Sequence, residues 1–285
     1  MNSVAGSLYV VATPIGNLDD VSARALKLLR EVSLIAAEDT RHSQRLMQHF
    51  GISTPLAACH EHNERDEGSR FITRLLAGDD VALISDAGTP LISDPGYHLV
   101  RQARAAGINV VPVPGPCALI AALSAAGLPS DRFIFEGFLP AKASGRRARL
   151  EQVREEPRTL IFYEAPHRIL ECLQDMEAVF GGDRPALLAR ELTKTFETLK
   201  GLPLVELRRF VESDSNQQRG ECVVWWRGGL LRRVMRPSAA RRCGFWTCCS
   251  RRCRSKERRH WLQRSLASAR TCCISSPWKS RKSNK

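Results

Sequence analysis

Apolar positions along the first 225 residues alternate between two spacings. Short continuous apolar runs such as "SLYVVAT" and "VALIS" indicate buried strands, and stretches such as "VSARALKLLREV" and "YHLVRQARAAG" repeat apolar residues at helical spacing. Strands that alternate with helices of about ten residues predict βαβ units and a largely parallel sheet. We therefore predict a first α/β domain over residues 1–117.

A second α/β segment follows, with longer connections between its strands. Its expected strands are "RFIFEGFL", "TLIFYEAP", "PALLAREL" and "GECVVWW", and its expected helices are "CALIAALSAAGL" and "HRILECLQDMEAVFG". The wider spacing of these strands favours a mixed sheet, and "PAKASGRRAR" between the first two predicts a flexible basic linker. These patterns predict a second domain over residues 118–224.

Turn-forming residues follow four of the expected strands of the first domain. The four stretches are "TPIGNLDD", "AEDTRHS", "SDAGTPLISDPG" and "VPGPCA". Loops that follow parallel strands project from one edge of the sheet, where open α/β sheets bind ligands. Glycine lets the backbone approach a ligand closely, and N–H groups at the following helices suit polar ligand groups. The sequence therefore predicts a ligand-binding cleft at this edge.

Several familiar sites and segments are missing from the sequence. G-x-G-x-x-G does not follow the first strand and G-x-x-x-x-G-K-[ST] does not occur, which argues against a dinucleotide site and a P-loop. No apolar run reaches the roughly 18 to 20 residues that span a bilayer. Since the N-terminus also lacks the basic region of a signal peptide, we expect a cytoplasmic protein.

Charge divides the chain at about residue 225. Residues 226–285 contain 18 Lys and Arg and one acid, Glu257, for a net charge of +17, whereas residues 1–225 carry a net charge of −4. Six of the ten cysteines also lie in this tail, but no pair has C-x-x-C spacing, so we expect no metal site. The basic character of the chain therefore belongs to its tail.

Residues 225–285 have two interpretations. One is an arginine-rich RNA-binding arm. The interpretation that we favour is a frameshifted remnant of a small helical domain. Back-translation of the tail with GC-rich codons gives, in another frame, an amphipathic and charge-balanced string followed by a stop codon. On this interpretation the tail is aberrant and disordered, and the net charge of +13 is an artefact.

Eight motifs follow one another in unbroken order between about residues 7 and 224. They are "LYVVATPIGNLDDVSARAL", "AAEDTR", "HEHNE", "SDAGTPLISDPG", "VVPVPGPCALIAALSAAGLP", "FEGFLP", "FYEAPHR" and "ARELTKTFET". Together they resemble the tetrapyrrole-methylase-fold methyltransferases, and within them the bacterial branch that acts on 16S rRNA. The resemblance implies a homodimer of two-domain α/β subunits with S-adenosylmethionine in the cleft between the domains. It also implies 2′-O-methylation of a cytidine ribose (position 1402 in common numbering) in the decoding region, within the small ribosomal subunit.

The resemblance further implies that three loops surround the cofactor. They contribute Pro14, Ile15, Gly16, Asp86, Ala87, Gly88, Thr89, Pro114, Gly115, Cys117 and Ala118. The family usually has serine where this chain has Cys117, and a thiol forms weaker hydrogen bonds than a hydroxyl. The contact expected at that position is therefore in question.

Methyl transfer from a sulfonium to a ribose hydroxyl is an in-line displacement that depends on orientation and on exclusion of water. Because the hydroxyl is a poor nucleophile, a base or a charge stabiliser would assist. The candidates are Glu38, Asp39, His60 and Asp86, with Asp39 equally suited to cap the following helix. In "YEAPHR", Glu164 is expected in a turn that also lines the cleft. The sequence alone does not assign the base.

Basic residues near the cleft are candidates for contacts with RNA phosphates. They are Arg41, Lys142, Arg146, Arg147 and Lys194. A solvated loop is the alternative for the three on the linker, and an ion-pair network with neighbouring glutamates is the alternative for Lys194. Two other functions compete with rRNA methylation, namely methylation of a tetrapyrrole precursor and non-catalytic RNA binding through the tail. The "TPIGNL" and "AEDTR" forms of the loops favour the rRNA branch.

Overall fold

The protein is represented by a computed structural model that describes residues 5–60, 64–220 and 222–226. Its strands are β1 (Ser7–Val11), β2 (Leu34–Ala37), β3 (Leu56–Ala58), β4 (Val81–Ile84), β5 (Asn109–Val113), β6 (Phe133–Phe138), β7 (Thr159–Glu164), β8 (Pro185–Arg190), β9 (Thr198–Pro203) and β10 (Cys222–Trp226). Its α-helices are α1 (Ala23–Glu31), α2 (Thr40–His49), α3 (Glu64–Leu76), α4 (Tyr97–Ala105), α5 (Ala118–Ala125), α6 (Ala143–Gln152), α7 (Ile169–Phe180) and α8 (Leu204–Ser213).

The first sheet has the order β3-β2-β4-β1-β5 in the described residues, and every pairing in it is parallel. Its central strands β2 and β4 are buried along their whole length, as expected of continuous apolar runs in a sheet covered on both faces. Phe71 of α3 and Leu99 of α4 pack on one face, and Leu29 of α1 and Met47 of α2 pack on the other. The predicted parallel α/β sheet is confirmed.

The second sheet has the order β6-β7-β10-β8-β9 among the described strands. Only β6 and β7 are parallel, and the remaining pairings are antiparallel. Helices α6, α7 and α8 cover one face around Phe162 and Leu173. On the other face, Ile161 packs in one buried cluster with Leu119 of α5 and with Ile15, which belongs to the loop after β1. This cluster joins the second sheet to the ligand-binding edge of the first.

Two elements differ from the sequence-based expectation. The predicted flexible linker is helix α6, which is anchored by the buried Leu150 and by an ion pair of Arg146 with Asp175 of α7. Helix α8 was not predicted, although its buried residues Leu204, Leu207 and Val211 recur at helical spacing. Both helices pack against α7 on the outer face of the second sheet.

The last described strand runs to Trp226, two residues past the expected boundary at residue 224. The rest of the predicted aberrant tail, residues 227–285, lies outside the described residues. Among the helices that are described, none is long and apolar enough to cross a membrane.

Candidate active site

Hydrogen bonds and a close backbone approach tie three of the four turn-rich loops together. Thr13 and Gly88 exchange a pair of them, with N–O distances of 2.8 Å from the Thr13 amide and 3.1 Å from the Gly88 amide. The Thr89 hydroxyl donates to the carbonyl of Pro116 at 2.9 Å. Gly115 lies so close to the first strand that a Cβ atom there would sit 2.9 Å from the Ala12 Cβ. The loops after β1, β4 and β5 therefore form one continuous surface.

The loop after β4 explains why so many turn-formers follow that strand. Its backbone enters the left-handed region at Gly88 and Gly96, with φ of +86° and +121°. It also does so at two residues that carry side chains, Leu91 and Ser93, with φ of 73° and 66°. Backbone strain of this kind persists where the surrounding structure fixes it, often at binding sites. Here it shapes a loop that folds back against β1.

The loop after β2 joins this surface through carboxylates. The Asp39 amide donates to Asp86 Oδ1 at 3.0 Å, and the Asp86 amide donates to Glu38 Oε2 at 3.3 Å. Burial, reinforced by the negative charge of Asp86, raises the pKa of Glu38 although the amide hydrogen bond opposes the shift. Asp39 instead caps α2 by accepting the Arg41 amide at 2.8 Å, which lowers the pKa of Asp39.

These loops and the second sheet enclose a cavity of about 340 Å³. The loops of the first sheet and the start of α5 line it with Ile15, Glu38, Asp86, Ala87, Gly88, Thr89, Ile92, Ser93, Asp94, Cys117 and Ala118. The second sheet and the turn after β7 add Phe138, Tyr163, Glu164, Ala165 and Pro166. The cavity is therefore the predicted cleft, and both sheets contribute to its wall.

Aromatic side chains of β6 and β7 form the second wall. The Tyr163 hydroxyl accepts the Leu119 amide at 3.0 Å, and its ring meets Phe135 and Phe138 edge to face, with centroids 4.9 and 5.7 Å away. Beside them, the buried Glu164 accepts its neighbour's amide and pairs with Arg168 at 3.2 Å. The hydrogen bond from Leu119 links α5 directly to the second sheet.

The cavity is acidic. Its lining includes the acidic residues Glu38, Asp86 and Asp94, and none of its described lining residues is Lys or Arg. Glu164 also belongs to the lining, but its side chain is fully buried and its carboxylate pairs with Arg168. Such a lining suits a cationic ligand better than one rich in phosphate. The described residues hold no group of three or more His, Cys, Asp or Glu side chains arranged to bind a metal ion.

The structure brings together most of the predicted cofactor residues. Those that line the cavity are Ile15, Asp86, Ala87, Gly88, Thr89, Cys117 and Ala118, and those outside its lining are Pro14, Gly16, Pro114 and Gly115. Of the predicted catalytic candidates, Glu38 and Asp86 line the cavity, whereas Asp39 and His60 do not. Glu164, also expected in the cleft, lines it too. The residues that sequence reasoning missed include Phe138 and Tyr163, although both lie within motifs that the sequence singled out, "FEGFLP" and "FYEAPHR".

The predicted RNA-binding residues divide by exposure. Arg41 is 91% exposed, and Lys142 and Arg147 are also on the surface. Lys194 pairs with Glu191 at 3.0 Å, as the alternative interpretation held. Arg146 is 2% exposed, and its guanidinium donates to Asp175 at 2.5 Å, so it stabilises the fold and is not available to RNA.

Comparison with known proteins defines the family. The family model of the tetrapyrrole (corrin/porphyrin) methylases matches residues 7–208. Ribosomal RNA small subunit methyltransferase I of Pseudomonas aeruginosa is 80% identical over 220 residues, 77% of this chain and 78% of that protein. The protein of the same name from Escherichia coli O157:H7 is 60% identical over 219 residues, 77% of each chain.

Solved structures agree on the fold. A diphthine synthase matches with a TM-score of 0.61 at 15% identity, covering 78% of this chain and 90% of that chain. The methyltransferase CobJ matches with a TM-score of 0.59 at 20% identity, covering 81% of this chain and 97% of that chain. The chain belongs to the tetrapyrrole (corrin/porphyrin) methylase family and, within it, to the group of proteins named ribosomal RNA small subunit methyltransferase I.

Proposed function

We propose that this protein transfers a methyl group from S-adenosylmethionine to the 2′-oxygen of a cytidine ribose in 16S rRNA. The observation that carries the proposal is the acidic cavity between the two sheets, lined by Glu38, Asp86 and Asp94 with no Lys or Arg in its described lining. The name shared by the relatives supports small-subunit rRNA as the substrate.

The lining fits S-adenosylmethionine by its chemistry. Carboxylates complement a sulfonium and accept hydrogen bonds from amino and ribose hydroxyl groups, and Ile15, Ile92 and Ala118 offer an apolar wall for an adenine ring. The volume of about 340 Å³ falls within the usual range of small-ligand sites. When bound, the cofactor supplies a methyl group on a positively charged sulfur.

Glu38 is the base that the geometry favours. Its carboxylate is half-buried, lines the cavity and is held by the Asp86 amide at 3.3 Å. Burial raises its pKa, which strengthens it as an acceptor for the proton of a ribose hydroxyl. Asp39 is less suited, because its carboxylate is engaged in capping α2. The two sheets close around the reacting groups and limit the access of water.

Exposed basic residues near the cavity are proposed to hold the rRNA backbone. Arg41 follows directly on the loop that carries Glu38, and Lys142 follows the strand that carries Phe138. Arg147 of α6 is also exposed, but it pairs with Asp175 at 2.5 Å on the outer face of the second sheet, so an RNA contact there would lie away from the cavity. Contacts of this kind fix the position of an RNA chain without reading its sequence.

The tail after residue 224 is proposed to be a frameshift product. The matched 220 residues are 77% of this chain and 78% of the Pseudomonas protein, so the two chains are nearly equal in length and leave unmatched parts of similar size. This supports replacement of a segment rather than an insertion. Resequencing the gene across codons 215 to 285 tests it, because an inserted or deleted base near codon 224 is expected, and a confirmed frame would favour a basic arm.

The resemblance also supports a homodimer in the cytoplasm. Light scattering of the purified chain would test the homodimer.

The function itself is tested with radiolabelled S-adenosylmethionine and small ribosomal subunits from cells that lack this methylation. Label is expected on the ribose of one cytidine of the 16S rRNA and not on uroporphyrinogen. Label on the porphyrinoid alone would favour the tetrapyrrole branch, and binding of rRNA without transfer would favour a non-catalytic protein.

A further inference from the structure

A second, smaller cavity of about 140 Å³ lies next to the first. Its lining consists of Thr13, Pro14, Leu18, His42, Ser43, Arg45, Leu46, Ser85 and Asp86. Asp86 also lines the larger cavity, so the two cavities meet at this residue. The smaller cavity has too little volume for a whole nucleoside cofactor and enough for one flat heterocyclic ring.

The deepest residues of the small cavity carry hydroxyl groups. Thr13, Ser43 and Ser85 are each at most 3% exposed. Thr13 Oγ1 donates to the carbonyl of Ser85 at 3.1 Å, but the hydroxyls of Ser43 and Ser85 have no hydrogen-bond partner among the described residues. Buried hydroxyls without partners are rare in folded proteins. Two of them lining one cavity indicate that a polar ligand completes it.

The rest of the lining combines apolar and charged side chains. Pro14, Leu18 and Leu46 supply apolar surface, and Leu18 is exposed at 37%. His42 and Arg45 of α2 are exposed and add hydrogen-bond donors. The carboxylate of Asp86 disfavours a phosphate group in the same space. Apolar faces with polar groups at the edge are typical of pockets that hold an unstacked base.

We infer that this cavity receives the base of the target nucleotide and reads it as a cytosine, an inference that rests on the proposed function. Arg45 and the two serine hydroxyls are donors for the cytosine O2 and N3 atoms. With the base in this cavity, the attached ribose lies at the junction marked by Asp86. Its 2′-hydroxyl then faces the cavity that Glu38 lines.

The test uses the full chain, its Ser43→Ala/Ser85→Ala double variant and, as a matched control, Ser213→Ala on an exposed position of α8. Methyl transfer is measured on small subunits reconstituted with cytidine, uridine or an abasic ribose at the target position. Removal of two hydrogen bonds should raise the KM for the cytidine substrate about tenfold in the double variant. Its affinity for S-adenosylmethionine, measured by calorimetry, should not change.

Wild type is expected to prefer cytidine to uridine by about tenfold or more, because uracil presents an N3–H donor to Arg45 where cytosine presents an N3 acceptor. On the abasic substrate, wild type and the double variant should have equal KM values. A KM difference that persists on the abasic substrate would overturn base reading and indicate a backbone contact. Equal KM values on cytidine would overturn the inference while leaving the proposed function intact, whereas no transfer by wild type to any subunit would contradict the proposed function itself.

Discussion

The two sheets differ in architecture, but each contributes to the candidate active site through residues at the ends of its parallel strands. Every described pairing of the first sheet is parallel, and the loops after β1, β2, β4 and β5 reach one edge, so that Ile15, Glu38 and Asp86 meet. In the second sheet only β6 and β7 are parallel, and its wall residues Phe138 and Glu164 lie at the ends of those two strands. The described lining includes no residue of the antiparallel strands β8, β9 and β10. In both sheets, the residues that line the cavity therefore lie at or just after the carboxyl ends of parallel strands.

The two sheets also use their charged side chains differently. In the first, Glu38 and Asp86 accept backbone amides and line the cavity. In the second, the buried Arg146 is held by Asp175 on the outer face, away from the described cavity lining. Carboxylates of the first sheet are therefore expected to govern chemistry, and the ion pair of the second is expected to govern stability.

The largest effect is expected at the ion pair of the second sheet. Asp175→Leu leaves the guanidinium of Arg146, which is 2% exposed, buried without its main partner. The free energy of unfolding should fall by about 3 to 5 kcal/mol, measured by urea denaturation. Arg147→Gln is the matched control. Arg147 also contacts Asp175 but is 62% exposed, so Arg147→Gln should lower the free energy of unfolding by less than about 1 kcal/mol. Equal losses in the two variants would contradict the structural role of Arg146.

Glu38→Gln should lower kcat by about 100-fold or more, with little change in the dissociation constant of S-adenosylmethionine. The unprotonated carboxylate accepts the proton, so the wild-type rate should rise with pH through a pKa above that of an ordinary carboxyl group. The variant should lack this rise. Asp39→Asn is the control, because asparagine also caps helices, and it should change kcat by less than about threefold. A larger loss from Asp39→Asn than from Glu38→Gln would reverse the assignment.

A smaller effect is expected where the two sheets are joined. Tyr163→Phe keeps the ring of the cavity wall but removes the oxygen that accepts the Leu119 amide at 3.0 Å. Affinity for S-adenosylmethionine should fall by about two- to tenfold, the usual range for one hydrogen bond, and calorimetry measures it. Tyr97→Phe on the exposed surface of α4 should leave the affinity unchanged. An unchanged affinity in Tyr163→Phe would mean that α5 is positioned without this bond.

The smallest effect is expected at the surface. Lys142→Gln should weaken binding of small subunits by less than about threefold at physiological salt and reduce the salt dependence by about one counterion. Binding measured at several salt concentrations checks both. Lys27→Gln, on the exposed face of α1, should leave the slope unaltered. Identical slopes for Lys142→Gln and wild type would remove Lys142 from the rRNA-binding set.

Sequence patterns were sufficient for the first sheet because its strands are short, β2 and β4 are apolar and buried throughout, and turn residues follow all of its strands except β3. The same patterns identified Glu38 and Asp86, which sit next to their strands in sequence. The contribution of Tyr163 was missed because it depends on a contact with Leu119, far away in the chain. Helix α6 was mistaken for a linker because its Ala, Gly and Arg composition hides the buried ion pair that fixes it. Helix α8 could have been found from the spacing of Leu204, Leu207 and Val211.

A crystal structure of the full chain with S-adenosylmethionine bound tests the central claim most directly. The account predicts that the cofactor lies against the ends of β1, β4, β5, β6 and β7, with the methyl-bearing sulfur facing Glu38 and Asp86. Contacts dominated by β8, β9 or β10, or a cofactor bound outside the acidic cavity, would contradict it.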